Sequence, residues 1–165
     1  MIVHPIKPLY NESSEILILG SFPSVKSREE GFFYGHPQNR FWRIMAKICN
    51  SPAPESIEEK TNMIINNRFA LWDVIKSCEI TGSADSSIKN VQPNDLKEIL
   101  KTANIRQIFV NGKKSETLYK KYIEKDTGIT AIALPSTSPA NAAWSEGRLF
   151  EYWNNAITKA KKQRG

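Results

Sequence analysis

The run EILILG at residues 15–20 decides the fold. Its apolar residues are continuous rather than alternating with polar ones, they are branched aliphatic side chains, and a glycine closes the run. A continuous apolar run predicts a strand that is buried on both faces, as in parallel sheets. Three further short, mainly apolar runs follow at residues 69–75, 105–110 and 129–134, which gives four candidate strands.

Helical periodicity fills the intervals between these strands. Residues 55–66 predict a short helix, and Asn94 or Asp95 is a candidate cap for a later one. Segments 21–38 and 76–93 show little periodicity and are predicted to be loops. In four other segments apolar residues recur every three or four positions, with the stripes Phe41, Ile44, Met45 and Ile48; Leu96, Ile99, Leu100 and Ala103; Leu118, Tyr119, Tyr122 and Ile123; and Leu149, Tyr152, Trp153, Ala156, Ile157 and Ala160.

Strands that alternate with helices predict βαβ units, and therefore a parallel sheet with helices on both faces. We expect an α/β fold, with three α/β/α layers around a central four-stranded parallel sheet, formed as a single domain by residues 1–165. In such a sheet the chemistry is expected at the carboxyl ends of the strands.

Composition narrows the class of protein. The chain has 165 residues, 40% hydrophobic and 24% charged, as globular proteins do. No apolar run is long enough to span a bilayer, and no secretory signal is expected at the N-terminus, so we expect a cytoplasmic protein without membrane contact. Cys49 and Cys78 form no C-x-x-C pair, which leaves no zinc or iron–sulfur site. No metal or other cofactor is predicted.

The charge balance favours a polyanionic partner. Lysine and arginine number 23 against 17 aspartate and glutamate residues, a formal charge of +6. Such a surplus promotes nucleic-acid binding through counterion release, although many basic proteins bind no nucleic acid. The basic residues at 159–164 fit a helix C-terminus, where the macrodipole favours them, at least as well as a DNA contact.

Three polar segments follow predicted strands. In GSFPS, residues 20–24, Phe22 could stack on a base or pack in the core. In YGHPQNRFW, residues 34–42, His36 could perform acid–base chemistry, Asn39 could position a water or cap the next helix, and Arg40 could bind a phosphate. In LPSTSPANA, residues 134–142, backbone N–H groups and hydroxyls could hold a phosphate or cap a helix. The motifs of P-loop and Rossmann proteins, zinc peptidases and serine hydrolases are missing from the sequence.

Together, GSFPS, HPQNRFW and STSPAN resemble the uracil-DNA glycosylase superfamily in the expected order. Within it, the chain is most similar to the hypoxanthine-DNA glycosylase branch, also called DNA-deoxyinosine glycosylases. The resemblance covers about residues 16–153, and the HPxNxFW cassette is its most specific part. It implies a monofunctional, metal-free enzyme of base-excision repair that flips out a deaminated base, most often hypoxanthine, and hydrolyses its N-glycosidic bond. The implied partner is damaged DNA, double- or single-stranded, bound by a monomer.

The resemblance also implies roles for individual residues. Many members activate water with Asp or Asn at the position of Phe22, whereas this branch uses the Asn of the second cassette, so the catalytic residue is Asn39. The base-binding residues are Ser21, Phe22, His36, Asp73 and Asn111, with Asp73 in the place of a base-reading Asn. The DNA-binding residues are Ser24, Arg40, Ser136, Ser138, Pro139 and Asn141.

Several alternatives stay open at this point. Asp73 could accept the N1–H of hypoxanthine or simply end its strand, and Asn111 could serve a turn. Relatives carry a bulky wedge after the third motif, and here either Asn141 fills that space or another loop supplies the wedge. Uracil could be the main substrate, or the chain could be a DNA-binding module without catalysis.

Overall fold

The computed structural model describes residues 1–163. Strands and helices alternate along most of the chain, and a 3-10 helix lies at Asp85–Ser87. In chain order the elements are β1 (Ile2–Val3), β2 (Ile16–Gly20), α1 (Val25–Glu30), α2 (Phe41–Ile48), α3 (Ile57–Asn66), β3 (Phe69–Asp73), β4 (Ile75–Glu79), β5 (Lys89–Pro93), α4 (Lys97–Thr102), β6 (Gln107–Asn111), α5 (Lys113–Tyr122), α6 (Glu124–Thr127), β7 (Ala131–Leu134) and α7 (Glu146–Lys162).

The predicted four-stranded parallel sheet is confirmed. Its strand order is β3-β2-β6-β7, and each neighbouring pair is parallel. The register pairs Gly20 with Asp73 and Asn111 with Leu134. The carboxyl ends of all four strands therefore meet at one edge of the sheet, where the polar motifs follow.

Alternate residues of each strand enter two separate cores. Ile16 and Ile18 of β2 pack with side chains of α2, α3 and α7, whereas Leu17 and Leu19 pack with side chains of α4 and α5. Each of these β2 residues is at most 3% exposed, as a strand buried on both faces requires. The three-layer α/β/α arrangement predicted from the sequence is confirmed.

Both segments that were predicted to be loops contain regular structure. Helix α1 lies within residues 21–38, and Ser24 caps it by accepting a hydrogen bond from the N–H of Ser27. Within residues 76–93, β4 and β5 form a second, antiparallel sheet of order β1-β4-β5. Register shifts interrupt the β4–β5 pairing, so the sequence lacks the regular alternation that marks a half-buried strand.

The predicted strand at 69–75 is in fact two strands that meet at Val74. Its N–H bonds to the carbonyl of Gly20, and the N–H of Ile75 to that of Ser21. Asn94 is buried and bridges the turn, since its amide donates to the carbonyls of Asp73 and Ile75. Asp95, not Asn94, therefore accepts the bond from Lys97 N–H at the start of α4.

The remaining global features concern the membrane and the C-terminus. Within residues 1–163 no helix is both long and apolar enough to cross a membrane. Lys159, Lys161 and Lys162 occupy the last turn of α7, where the macrodipole favours them. Arg164, which ends the predicted basic run, lies outside the described residues.

Trp153 of α7 supports the loop that follows β7. It is fully buried, and its Nε1 donates to the carbonyl of Pro135 at 2.9 Å. Trp153→Phe removes that donor and leaves a void, so the free energy of unfolding should fall by about 1–3 kcal/mol in urea denaturation. Tyr152→Phe, at a neighbouring position that is 47% exposed, should change it by less than about 0.5 kcal/mol. Equally small changes in the free energy of unfolding for the two variants would contradict the role of Trp153 in supporting the loop.

Candidate active site

A pocket of about 320 Å³ opens at the carboxyl edge of the four-stranded sheet. Its size lies within the range of small-ligand pockets, about 300–1,000 Å³. All three polar motifs reach it. Of the residues predicted from the sequence, those that line it are Ser21, Phe22, Ser24, His36, Asn39, Asp73, Asn111, Ser136, Ser138 and Pro139.

Asp73 forms a buried pair with His4, a residue for which the sequence suggested no role. His4 Nε2 lies 2.7 Å from Asp73 Oδ2, and the two side chains are only 2% and 6% exposed. The imidazole packs edge-to-face against Phe22 at 5.8 Å and Trp72 at 6.3 Å. Strand β1 places His4 there, because it pairs with β4 directly after the end of β3.

The hydrogen bonds of His4 determine the direction of this contact. Its Nδ1 accepts from the backbone N–H of Ile6 at 3.1 Å. A backbone N–H can only donate, so Nδ1 carries a lone pair and the ring proton resides on Nε2. His4 therefore donates to Asp73, whose carboxylate acts as an acceptor.

The second carboxylate oxygen of Asp73 faces Gly20 and the pocket. Among the described residues no donor bonds to Asp73 Oδ1, although Asp73 is only 4% exposed. A Cβ built on Gly20 would lie 2.4 Å from this oxygen. Glycine is thus required at the end of β2, and this oxygen, on a largely buried side chain, is an accessible acceptor for a ligand in the pocket.

Tyr34, Asn111 and Thr137 form a second, partly buried network. Asn111 Nδ2 donates to Tyr34 Oη at 3.2 Å and to Thr137 Oγ1 at 3.1 Å, and its Oδ1 accepts from Thr137 N–H. Burial, reinforced by the nearby Asp73 carboxylate, raises the pKa of the Tyr34 hydroxyl well above its usual range. Tyr34 is therefore neutral at physiological pH and retains its proton.

Asn39 and His36 occupy the same wall. Asn39 Oδ1 accepts from Phe41 N–H at 2.9 Å, so the side chain does contact the start of α2. An amide oxygen has two lone pairs, and the second remains for a ligand. His36 Nδ1 accepts from Gln38 N–H at 3.1 Å, which leaves Nε2 as a donor at the pocket.

The first motif contacts a second carboxylate at the pocket mouth. Ser21 Oγ donates to Asp85 Oδ1 at 2.9 Å, and Asp85 also lines the pocket. Desolvation by the surrounding protein raises the pKa of Asp85, and the bond from Ser21 offsets part of this effect. Phe22 is 8% exposed and belongs to the core beside α4 and α5 while lining the pocket.

The loop after β7 uses its backbone N–H groups internally. Ser138 N–H donates to Ser136 Oγ and Ala140 N–H donates to Ser138 Oγ, both at 3.1 Å. The N–H of Asn141 bonds to the Ser138 carbonyl. The proposed backbone cradle for a phosphate is therefore occupied. Each serine hydroxyl, which accepts from the backbone, keeps its own proton for a ligand.

Arg40 lies outside the pocket lining and holds the third motif in place. Its guanidinium donates to the carbonyls of Thr137, Ser138, Asn141 and Trp144, and its backbone N–H donates to Thr137 as well. Four of its five N–H groups are thereby engaged, so a phosphate contact would have to use the fifth.

Asn141 is the other predicted residue outside the pocket, and its side chain is also held by a hydrogen bond. Its Nδ2 donates to the carbonyl of Ser136 at 3.0 Å. A side chain bound within its own loop is a poor helix wedge. Asn141 instead borders an adjacent groove of about 520 Å³, which shares Ser136 and Ser138 with the pocket and extends to Lys113 and Lys114.

Sequence reasoning assigned no role to His4, Tyr34, Thr137 or Asp85. Tyr34 and Thr137 stand inside the quoted motifs, so their position was a usable signal. His4 and Asp85 carried none, because their contacts depend on the second sheet. Among residues 1–163 no three His, Cys, Asp or Glu side chains are grouped as a metal site would require.

Comparisons with known proteins identify the family and the fold. The family model of the uracil DNA glycosylase superfamily matches residues 7–160. A hypoxanthine DNA glycosylase of Methanosarcina acetivorans is 35% identical over 156 residues, which cover 92% of this chain and 96% of that protein. A hypoxanthine DNA glycosylase of Methanosarcina barkeri is 34% identical over 110 residues, 66% of this chain and 70% of the relative.

A solved structure is similar over nearly its whole length. It is the solution NMR structure of a Methanosarcina acetivorans protein proposed to be a uracil DNA glycosylase. Its TM-score is 0.82 at 32% identity, covering 98% of this chain and 99% of that one. Fold and site thus define an α/β/α protein of the DNA-glycosylase type. The chain belongs to the uracil DNA glycosylase superfamily, which confirms the resemblance carried by the three motifs.

Replacing His4 tests its bond to Asp73. In His4→Leu the carboxylate stays buried without its partner, so the free energy of unfolding should fall by about 3–5 kcal/mol at neutral pH. In His4→Gln the amide oxygen can accept from Ile6 and the nitrogen can donate to Asp73, which should recover at least half of that loss. Urea denaturation measures both. Equal losses would show that ring packing against Phe22 and Trp72, not the hydrogen bond, carries the stability.

Arg40→Ala separates a structural role from a phosphate contact. The loss of four bonds should lower the free energy of unfolding by about 2 kcal/mol or more. The slope of log Kd for duplex DNA against log salt concentration should stay unchanged, since no phosphate contact is lost. Lys113→Ala is the matched control, with unchanged stability and a slope smaller by about one. A slope smaller by one in Arg40→Ala would instead establish the phosphate contact.

Proposed function

We propose that this protein is a DNA glycosylase that removes a deaminated base, chiefly hypoxanthine from deoxyinosine, and leaves an abasic site for base-excision repair. The observation that carries the proposal is the acceptor Asp73 Oδ1, which receives no hydrogen bond from the described residues and shares a pocket with Asn39. Membership of the uracil DNA glycosylase superfamily and the names of two relatives, both hypoxanthine DNA glycosylases, support it.

The acceptor explains selection for a deaminated base. Adenine presents N1 as a hydrogen-bond acceptor, whereas hypoxanthine presents an N1–H donor. Because His4 fixes the Asp73 carboxylate as an acceptor, the carboxylate binds the N1–H of hypoxanthine and repels N1 of adenine. A buried polar group that lacks its partner costs about 1–3 kcal/mol, and this difference favours the product of deamination over its parent.

Access to the pocket requires base flipping. A base inside a duplex cannot reach a site at the sheet edge, so the nucleotide must rotate out, at a cost of a few kcal/mol that is lowest for poorly paired bases. Stacking of the flipped base on the pocket-lining Phe22 would contribute about 1–3 kcal/mol. His36 Nε2 is a further donor for the base or a phosphate.

Hydrolysis then needs an oriented water more than a strong base. Glycosidic bonds break through an oxocarbenium-like sugar, and the DNA phosphates help to stabilise its positive charge. Asn39 is a weak base, so its role is to direct water through the free lone pair of Oδ1. The bond from Phe41 N–H holds that oxygen in place, so the capping and catalytic interpretations of Asn39 are compatible.

The surface beside the pocket is suited to the DNA backbone. The groove is lined by Ser136, Ser138, Lys113 and Lys114 together with the carboxylates Asp85 and Glu116, so hydroxyl donors and two cations are available there. We propose that damaged DNA, double- or single-stranded, lies along it and that one monomer engages one lesion. Its working compartment would then be the one that holds the DNA, which is the cytoplasm in the sequence-based expectation.

Uracil is the second candidate substrate, and Asp73 is the reason. The N3–H of uracil is also a ring N–H donor, so the same acceptor can bind it. A module that binds DNA without catalysis is disfavoured by the free acceptor and by the position of Asn39 on the same pocket wall.

A strand-scission assay with Asn39→Ala tests the proposal. Labelled duplexes carry one hypoxanthine, uracil or xanthine, and alkali then cuts at abasic sites. We expect cleavage chiefly at hypoxanthine, reduced at least about 100-fold in Asn39→Ala because water is no longer oriented. The Kd for lesion-containing duplex should change by less than about threefold.

The matched control removes a helix cap far from the pocket. Ser56 Oγ accepts from Glu59 N–H at 3.1 Å and caps α3. Ser56→Ala should cost about 1 kcal/mol of stability and leave base release intact. Parallel loss of binding and turnover in Asn39→Ala would reduce Asn39 to a structural cap. Cleavage mainly at uracil would make uracil, not hypoxanthine, the main substrate. DNA binding without any base release would refute the proposed glycosylase activity.

A further inference from the structure

We propose that Tyr34 is a specificity-determining residue whose hydroxyl donates to the carbonyl oxygen of the flipped base while Asp73 Oδ1 accepts from the adjacent ring N–H. Two side chains from separate segments would thus bind both atoms of one lactam edge. The inference rests on the proposed function and extends it from one hydrogen bond to a matched pair.

The hydrogen bonds of Tyr34 leave its proton unused. Tyr34 Oη accepts from Asn111 Nδ2 at 3.2 Å. The direction of this bond is fixed, because an amide nitrogen can only donate. Among residues 1–163 no acceptor is found for the Tyr34 hydroxyl proton. A tyrosine hydroxyl is neutral at physiological pH, so an unused donor remains at a pocket that Tyr34 lines.

The donor and the acceptor face the same small volume. A Cβ built on Gly20 would lie 2.4 Å from Asp73 Oδ1 and 3.2 Å from Tyr34 Oη. Both oxygens therefore converge above the last residue of β2, where only a glycine leaves room. Adjacent atoms of a planar base can reach both at once.

The backbone of Tyr34 is strained to achieve this position. Its φ of 53° lies in the left-handed region, where a bulky aromatic residue is a genuine outlier. Such strain costs about 1–3 kcal/mol and is found where function requires it. Stacking on Phe41, with ring centroids 4.0 Å apart and planes at 17°, holds the ring in that conformation.

The pair matches hypoxanthine and uracil better than their parents, adenine and cytosine, whereas guanine and its product xanthine share one lactam edge. Hypoxanthine, uracil and xanthine each carry a lactam, in which a ring N–H donor adjoins a carbonyl acceptor. Adenine and cytosine carry the inverse order, a ring nitrogen acceptor beside an amino donor. Against Asp73 that edge sets acceptor against acceptor, and an amino group cannot accept the Tyr34 proton. Deamination of adenine or cytosine therefore replaces one repulsive contact with a hydrogen bond and supplies an acceptor for the Tyr34 hydroxyl.

Tyr34→Phe tests the donor while keeping the ring and its stacking on Phe41. Single-turnover kcat/KM is measured for duplexes with deoxyinosine and with 6-thio-deoxyinosine, whose sulfur is a much weaker hydrogen-bond acceptor. We expect Tyr34→Phe to lower the value for deoxyinosine by about 10- to 100-fold and that for the thio analogue by less than about threefold. Dividing one effect by the other cancels intrinsic differences in leaving-group chemistry.

The control is Tyr122→Phe on α5, outside the pocket lining, which should change both rates by less than about twofold. Equal losses on the two substrates in Tyr34→Phe would make Tyr34 merely structural and overturn the inference, as would no loss on either. Both results require an active wild-type protein. A wild-type protein that releases neither base would refute the proposed function itself, and this inference with it.

Discussion

The register between β2 and β3 is the constraint on which the site depends. Parallel pairing sets Gly20 beside Asp73 at the carboxyl end of the sheet, and the Asp73 carboxylate fills the space that a side chain on Gly20 would need. One oxygen then faces the pocket while the other is held by His4. A shift by one residue would point Asp73 to the opposite face of the sheet. The small antiparallel sheet serves the same end, because β1 delivers His4.

The direction of the hydrogen bonds gives the pocket its selectivity. Asn111 and backbone N–H groups donate to the hydroxyls of Tyr34, Ser136 and Ser138, so each hydroxyl keeps its proton to donate to a ligand. Asp73, which receives a bond from His4, offers a lone pair instead. The pocket therefore presents the Asp73 carboxylate as an acceptor close to several hydroxyl donors. That pattern suits a nucleotide whose base has an N–H beside a carbonyl and whose phosphates accept hydrogen bonds.

Much of the sheet and its helices was predictable from the sequence, but fewer of the side-chain hydrogen bonds at the site were. One continuous and three mainly apolar runs, separated by helical stripes, predicted the parallel sheet, and the signal is strongest in β2, which is buried on both faces. The β4–β5 pairing left none, since its register shifts break the alternation. The contact of His4 with Asp73 spans 69 residues and needs that second sheet, so no local pattern could reveal it. The sequence predicts that Arg40 binds a phosphate, whereas in the structure its guanidinium donates to backbone carbonyls.

Those carbonyls couple the second and third motifs into one rigid unit. Arg40 directly follows Asn39, and its backbone and guanidinium both bond to the loop that carries Ser138. Water directed by Asn39 and a phosphate bound by the Ser138 hydroxyl would then keep a fixed separation, with the sugar between them. Attack on that sugar depends on alignment of the water more than on its basicity. Under the proposed function, the bonds of Arg40 to these carbonyls would therefore hold both ends of the reacting nucleotide in place at once.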